Sequence, residues 1–192
     1  RFPIVVLDRE IENPHIKKVL LPNKYGIEQA VNHLVHKGHQ RLGFIAGSEE
    51  SFDGEERLFG FKESLKKNGL TFGDSDLIRA DFTQISGLLS MKSYLEKYNT
   101  YPTAFIAAND EMALGAIKAI QEKGLQVPED IAIVGFDDID ISGYHRPSLS
   151  TVRVQKKQWG ITAAETIFEM LENKKQIELT RIPVEFIPRS SS

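Results

Sequence analysis

Short apolar runs alternate with amphipathic helical patterns along nearly the whole chain, and this alternation narrows the fold more than any single residue does. Ile131, Ala132, Ile133 and Val134 show the strand half of the pattern. Four apolar residues in a row, bounded by turn residues, read as a strand buried on both faces. Comparable strands are PIVVLD at 3–8, Val19 to Leu21, RLGFIAG at 41–47, Leu77 to Ala80 and Thr103 to Ala108. Between them, Ile27, Ala30, Val31, Leu34 and Val35 recur at helical spacing from Tyr25 to Lys37, and Leu58, Phe61 and Leu65 from about Gly54 to Asn68. Further helices are expected over Ile85 to Tyr98 and Asp110 to Lys123. Gly38, Gly69 and Gly124 stand where three of these helices should end in a left-handed cap. Strand-then-helix units in series predict an α/β fold, a mostly parallel sheet with helices on both faces.

After Asp138 the pattern loosens. Residues 139–150, IDISGYHRPSLS, read as a loop, Thr151 to Val154 as a short strand and Trp159 to Leu171 as a helix. A last strand runs from Ile182 to Ile187, with Pro183 and Pro188 marking it as an edge.

Composition removes several function classes. With 41% hydrophobic and 27% charged residues over 192 positions, disorder is a poor reading. No stretch approaches the ~18 consecutive apolar residues of a membrane helix, and no charged-then-apolar leader opens the chain. A cytoplasmic or already processed chain with no membrane partner is expected. The absence of cysteine excludes disulfides, Cys-ligated zinc and thiol catalysis. A net charge of -3, with lysine pairs scattered along the chain, offers no concentrated positive face for phosphates. The chain opens on Arg1-Phe2-Pro3 without methionine and runs directly into an apolar strand, which reads as a fragment whose N-terminal part is missing.

In an open parallel sheet, ligands sit beyond the carboxyl ends of the strands. The residues at those ends are Asp8 and Arg9, Gly47 and Ser48 with Arg57 shortly after, Asp81 and Phe82, Asn109 and Asp110, and Asp137 and Asp138. An unpaired buried carboxylate costs several kcal/mol or more, so Asp137 and Asp138 must face water, a cation, hydrogen-bond donors or a ligand. The bland alternatives are an Asp137 paired to Arg146, an Arg57 on a helix surface beside Glu55 or Glu56, and a Phe82 buried for area alone. Asp110 starts a helix, which makes it an N-cap or a contact.

His33, His36 and His39 suggest a metal, but His39 lies beyond the Gly38 break and no carboxylate completes the set, so no metal is expected. Gly43 and Gly47 fall short of a nucleotide-binding loop, and no cofactor is expected. Asp110 and Asp137 are the raw material of glycoside hydrolysis. No nucleophile and base stand in a recognisable turn, which argues against an enzyme.

Six motifs in order carry a resemblance: GHQRLGFIAG, the R-x-x-G-F of Arg57 to Phe61, PTAFIAANDEMALGA, VPEDIAIVGFDD, PSLSTV and the closing RSS. Together they span the whole chain and resemble the LacI/GalR family of bacterial transcription regulators. The resemblance implies a periplasmic-binding-protein-like core, two Rossmann-like subdomains with an effector between them. It assigns residues 1–22 and 155–182 to a remnant of the N-terminal subdomain, and 23–154 with 183–192 to a nearly complete C-terminal one. The family's DNA-binding helix-turn-helix is absent, so operator DNA would be reached only through it. Carried over by motif, Arg57, Phe82, Asn109 and Asp137 are the implied ligand contacts, and Asp138 reads as structural or hinge-facing.

The implied partners are a sugar effector and a second copy in a homodimer, in the cytoplasm. The chemistry agrees: Asp accepts from two adjacent hydroxyls, Arg is a fork of donors, Asn supplies one group of each kind, and Phe82 offers an apolar platform. The rival expectations are a periplasmic sugar-binding protein of a transport system and a regulator core answering to a phosphoprotein.

Overall fold

In the computed structural model, which describes residues 2–172 and 179–192, the chain divides into two units. Arg1 and residues 173–178, the latter inside the 155–182 span, lie outside the described residues. One unit comprises Arg1–Pro22 with Val154–Val184, the other Asn23–Arg153 with Glu185–Ser192.

The larger unit is built on a six-stranded sheet. Its strands are β3 (Leu42–Ala46), β4 (Leu77–Arg79), β5 (Ala104–Ala107), β6 (Ala132–Asp137), β7 (Ser150–Val154) and β9 (Val184–Ile187), in the order β4-β3-β5-β6-β7-β9. The pairings from β4 through β7 are parallel. β3 and β5 are buried at every position, and β6 at all but Asp137, which explains their unbroken apolar sequences. The helices are α1 (Asn23–His36), α2 (Phe52–Lys67), α3 (Gln84–Lys97), α4 (Asp110–Glu122) and α5 (Asp140–Tyr144).

Local chemistry sets the helix ends. Ser51 caps α2 by accepting the Gly54 N–H at 3.2 Å, Asp53 and Glu55 occupy the first turn and Lys66 and Lys67 the last. Gly38, Gly69 and Gly124 have φ of +94°, +71° and +84° and stop α1, α2 and α4 as the sequence predicts. Phe44, Phe61, Phe105 and Phe136 are the largest side chains of the core.

The smaller unit holds β1 (Ile4–Leu7), β2 (Ile16–Leu20) and β8 (Leu179–Arg181) in a parallel sheet of that order, with α6 (Lys156–Leu171) against it. The Trp159 indole N–H donates to the Val19 carbonyl at 3.1 Å and pins the helix to the sheet. No residue of α6 is buried, and Ile161, Ile167, Phe168 and Leu171 are exposed. Among the described residues, no helix is long and apolar enough to cross a membrane.

Three expectations are corrected. Residues 139–150 are not all loop, because Asp140–Tyr144 form α5, too short to show helical periodicity. β2 begins at Ile16, before Val19, since Lys17 and Lys18 interrupt the apolar signal of a half-exposed strand. The final strand is β9, which begins at Val184 and not Ile182, and β8 (Leu179–Arg181) precedes it where no strand is expected. In addition, β6 runs through Asp137, so only Asp138 lies past its end.

Candidate ligand site

The strand order reverses at the β3/β5 junction. The chain leaves β3 toward β4 on one side, and leaves β5 toward β6 on the other. Such a switch point opens a crevice at the carboxyl ends of the strands. Arg57 follows β3 and Asn109 follows β5, so the two flank it, while Phe82 follows β4 and Asp137 ends β6.

Arg57 is the centre of the arrangement and is only 5% exposed. Its Nε–H donates to Asn23 Oδ1 at 2.9 Å and its Nη1–H to the Ala108 carbonyl at 2.6 Å, bridging the switch point. The guanidinium lies 3.8 Å from the centroid of Phe136, and Nη1 is 3.7 Å from Asp137 Oδ1. The surface-helix alternative is therefore excluded. Glu55 bonds Arg79 and Glu56 accepts from Asn23, leaving Arg57 to the interior. Asp137 pairs with Arg57, while Nη1 of Arg146 donates to the Tyr144 and His145 carbonyls.

Asn109, and not Asp110, is the N-cap of α4. Its Oδ1 accepts the Met112 N–H at 3.0 Å, and its Nδ2–H donates to the Phe82 carbonyl at 2.8 Å. The amide oxygen retains a second lone pair and the nitrogen a second hydrogen. Asp110 is fully buried and accepts from Ile139, Ser142 and Thr151, so it is neither cap nor exposed contact. Burial pushes its carboxyl up to about 6, against the downward pull of those three donors.

Phe82 lies against two glycines. A Cβ at Gly47 would stand 2.1 Å from its ring and one at Gly54 2.8 Å, so both positions are kept bare for it. Phe82, Asp137 and Asp138 have φ of +70°, +114° and +50°, in the half of conformational space that favours glycine. Each costs on the order of 1–3 kcal/mol and persists only where the surroundings hold it. Of the four such non-glycine residues among those described, these three lie at one edge of the sheet.

Asp138 sits between two guanidiniums. Arg153 Nε and Arg189 Nη2 each donate to it at 2.6 Å. Burial pushes its carboxyl up, but the bonds and charges of Arg153 and Arg189 outweigh this and hold it below the usual range. A depressed folded pKa contributes stability that is complete above the ordinary carboxylate value and is lost as pH falls through the folded one. In Asp138→Asn, the acid-induced fall in melting temperature below about pH 4 should be shallower than in the parent chain. Equal slopes in a melting series from pH 2.5 to 6 would remove Asp138 from the acid transition.

The three histidines do not converge. His33 Nε2 contacts Ser192 Oγ at 3.0 Å and its ring tilts on Phe186, His36 Nδ1 meets the Asn32 carbonyl, and His39 Nδ1 meets Thr103 Oγ1 at 2.8 Å. Burial, then the Lys37 charge, lowers the pKa of His33 and His39.

Comparison with known proteins agrees with this architecture. The family described as a periplasmic binding protein-like domain matches residues 31–192. The HTH-type transcriptional repressor PurR of Aliivibrio salmonicida (strain LFI1238) is 36% identical over 173 residues, covering 90% of this chain and 52% of that protein. The chain thus spans about half the length of this curated relative. The crystal structure of the lac repressor dimer bound to operator and the anti-inducer ONPF has a TM-score of 0.92 at 30% identity, covering 99% of this chain and 65% of that one. The complex of the transcriptional regulator CelR with cellobiose has a TM-score of 0.90 at 28% identity, covering 98% and 58%. Family match, relatives and fold converge, and the chain belongs to the LacI/GalR family of transcription regulators as an effector-binding core with the periplasmic-binding-protein-like fold.

Proposed function

We propose that this chain is the ligand-sensing and dimerisation core of a LacI-type regulator, taking a sugar or sugar derivative through Arg57, Phe82, Asn109 and Asp137. Residues 1–22 with 155–182 would be part of its N-terminal subdomain, and 23–154 with 183–192 its C-terminal one. The observation that carries the reading is the buried Arg57, braced by Ala108 and Asn23 and facing Asp137 at the switch point. A guanidinium fork has five donors and a carboxylate only acceptors, so the pair suits adjacent hydroxyls, which both donate and accept. The strained Phe82 supplies an apolar face for sugar C–H groups. CelR, a structural neighbour, is complexed with cellobiose, and the lac repressor neighbour is a dimer on its operator, which supports the same class of ligand and assembly here.

Ligand binding would favour one of two conformations of a homodimer and so change operator affinity, through a DNA-binding segment outside these 192 residues. Coupling of this kind is reciprocal: operator DNA must alter sugar affinity by the same factor.

The test is a thermal-shift panel of neutral sugars, phosphosugars and purines, with Asp137→Ala alongside. A ligand at 100 times its dissociation constant adds about 2.7 kcal/mol, or roughly 5–10 °C for a chain of this size. Asp137→Ala should weaken a sugar hit by about 1.5–3 kcal/mol, roughly 10- to 150-fold. A hit unchanged in the variant removes Asp137 from the site. Silence across the panel moves the reading to a protein partner, and a purine hit overturns the polyol argument.

A further inference from the structure

Four separate elements close on the carboxylate of Asp110. Its Oδ2 accepts the Ile139 N–H at 2.9 Å, from the residue directly after Asp137 and Asp138, and the Ser142 hydroxyl of α5 at 2.6 Å. Its Oδ1 accepts the Thr151 hydroxyl of β7, and the same Thr151 oxygen accepts the Asp138 N–H at 3.4 Å. On β6, Gly135 leaves the space that Oδ1 occupies, because a Cβ there would stand 2.2 Å from it. Asp110 itself is 0% exposed and follows Asn109 directly in the chain. The only fully buried carboxylate among the described residues therefore lies beneath the strained turn, out of reach of solvent.

Two successive aspartates with positive φ do not hold that shape unaided. The side chain of Asp138 is fastened by Arg153 and Arg189, but these bonds act on its carboxylate, and the backbone just beyond it is fastened by Asp110. We infer that Asp110 is a positioning residue of the candidate site, holding from beneath the turn that presents Asp137 to Arg57 and tying it to the helix start that carries Asn109. The functional consequence rests on the reading of Asp137 as a ligand acceptor. The positioning itself does not.

Protonation supplies a readout that a purely structural contact would lack. Asp137 on β6 raises the pKa of Asp110, and the other charged residues on the elements that close on it are Asp138 and Asp140 on the turn and α5, Arg153 on β7, whose Nε is taken by Asp138, and the exposed Glu111 on its own helix. When Asp110 gains a proton on Oδ1, the Thr151 hydroxyl can rotate to accept it, while Oδ2 still accepts from Ile139 and Ser142 as a neutral oxygen instead of a charged one. The Ile139 amide should therefore register the loss of charge as pH falls through about 6, with the turn kept in place. Global stability should follow the same titration. A carboxyl whose folded pKa is raised binds its proton more tightly in the folded state, so its contribution favours the fold below that pH and opposes it above.

The test uses carboxyl-carbon and amide NMR of this chain from pH 5 to 8, with Asp110→Asn and Asp110→Ala. In the parent chain the Ile139 amide shift should follow a titration near pH 6, and in Asp110→Asn it should be flat. Asparagine can still accept from Ile139 and Ser142 through Oδ1 and donate to Thr151 through Nδ2, so the Asp137 carboxyl and Arg57 Nε–H resonances should stay at parent positions. In Asp110→Ala those two resonances should move and the Ile139 amide should exchange at least tenfold faster, while amides of β3 and β5 keep their protection. If Asp110→Ala does not fold, Thr151→Val, which removes one donor and fills the same volume, should shift the same resonances in the same direction. Unmoved Asp137 and Arg57 resonances in the folded variant overturn the inference. None of these readouts needs a sugar, so a silent sugar panel defeats the ligand reading alone, and a sugar hit with unmoved resonances defeats the positioning role alone.

Discussion

Arg57→Ala is expected to lower the stability of the chain by about 3–5 kcal/mol and to abolish binding of any ligand that uses Asp137. The substitution removes one side chain but takes a partner from four other groups. The Ala108 carbonyl and Asn23 Oδ1 lose a charged donor each, and an unsatisfied buried acceptor costs about 1–3 kcal/mol. The ring of Phe136 loses the guanidinium stacked on it. Asp137 loses its nearby cation, a smaller effect because its side chain is 30% exposed and solvent screens the pair. At roughly 2–4 °C per kcal/mol for a chain of this length, the melting temperature should fall by about 10 °C. Lysine should recover less than half of the loss, because a single ammonium cannot direct two in-plane bonds to Asn23 and Ala108 while lying flat on Phe136. A loss below about 1 kcal/mol in denaturant unfolding would show that the bonds to Asn23 and Ala108 contribute little, and that Arg57 acts on ligand alone.

This double use of Arg57 was not legible in the sequence. Its partners are an amide 34 residues away and a carbonyl 51 residues away, and neither leaves a mark near position 57. By contrast, the order and type of most strands and helices rest on local periodicity and on glycine caps, so they could be read directly. What failed locally failed for physical reasons. α5 has only five residues and forms with the help of the Ile139 bond to a distant carboxylate. β2 carries two lysines in a strand that is only half buried. Asn109 and Asp110 are both good cap formers, and adjacent residues of that kind cannot be told apart until the tertiary donors around Asp110 are known. The left-handed conformation of Phe82 had no local signal, and those of Asp137 and Asp138 only a weak one, since aspartate tolerates positive φ better than most residues but far less readily than glycine. The motif resemblance named Arg57, Phe82, Asn109 and Asp137 as the implied contacts. The packing adds Asn23, which accepts from Arg57, and Asp110 and Thr151, which accept from the backbone of the turn after Asp137.

Gly115→Ala should destabilise the chain by about 3 kcal/mol, although alanine is the better helix former by about 1 kcal/mol. A Cβ at Gly115 in α4 would stand 2.1 Å from the Gln84 carbonyl oxygen and 2.6 Å from the Leu88 nitrogen of α3. The contact is reciprocal, since a Cβ at Gly87 in α3 would meet the Met112 carbonyl oxygen at 2.3 Å. Both obstacles are backbone, which cannot rotate away as a side-chain tip can, so the helices must separate. That separation would reach the site. α3 starts at its Thr83 cap directly after Phe82, α4 starts at its Asn109 cap, and the 2.8 Å bond from Asn109 to the Phe82 carbonyl joins the two starts. Gly160→Ala on α6 is the control, because a Cβ there meets nothing within 4 Å, and it should stabilise by roughly 0.5–1 kcal/mol through helix propensity. Unfolding curves for the pair should therefore move in opposite directions. If both rise, the α3–α4 contact has room to give, and the close approach of these helices does not hold Phe82 beside Asn109.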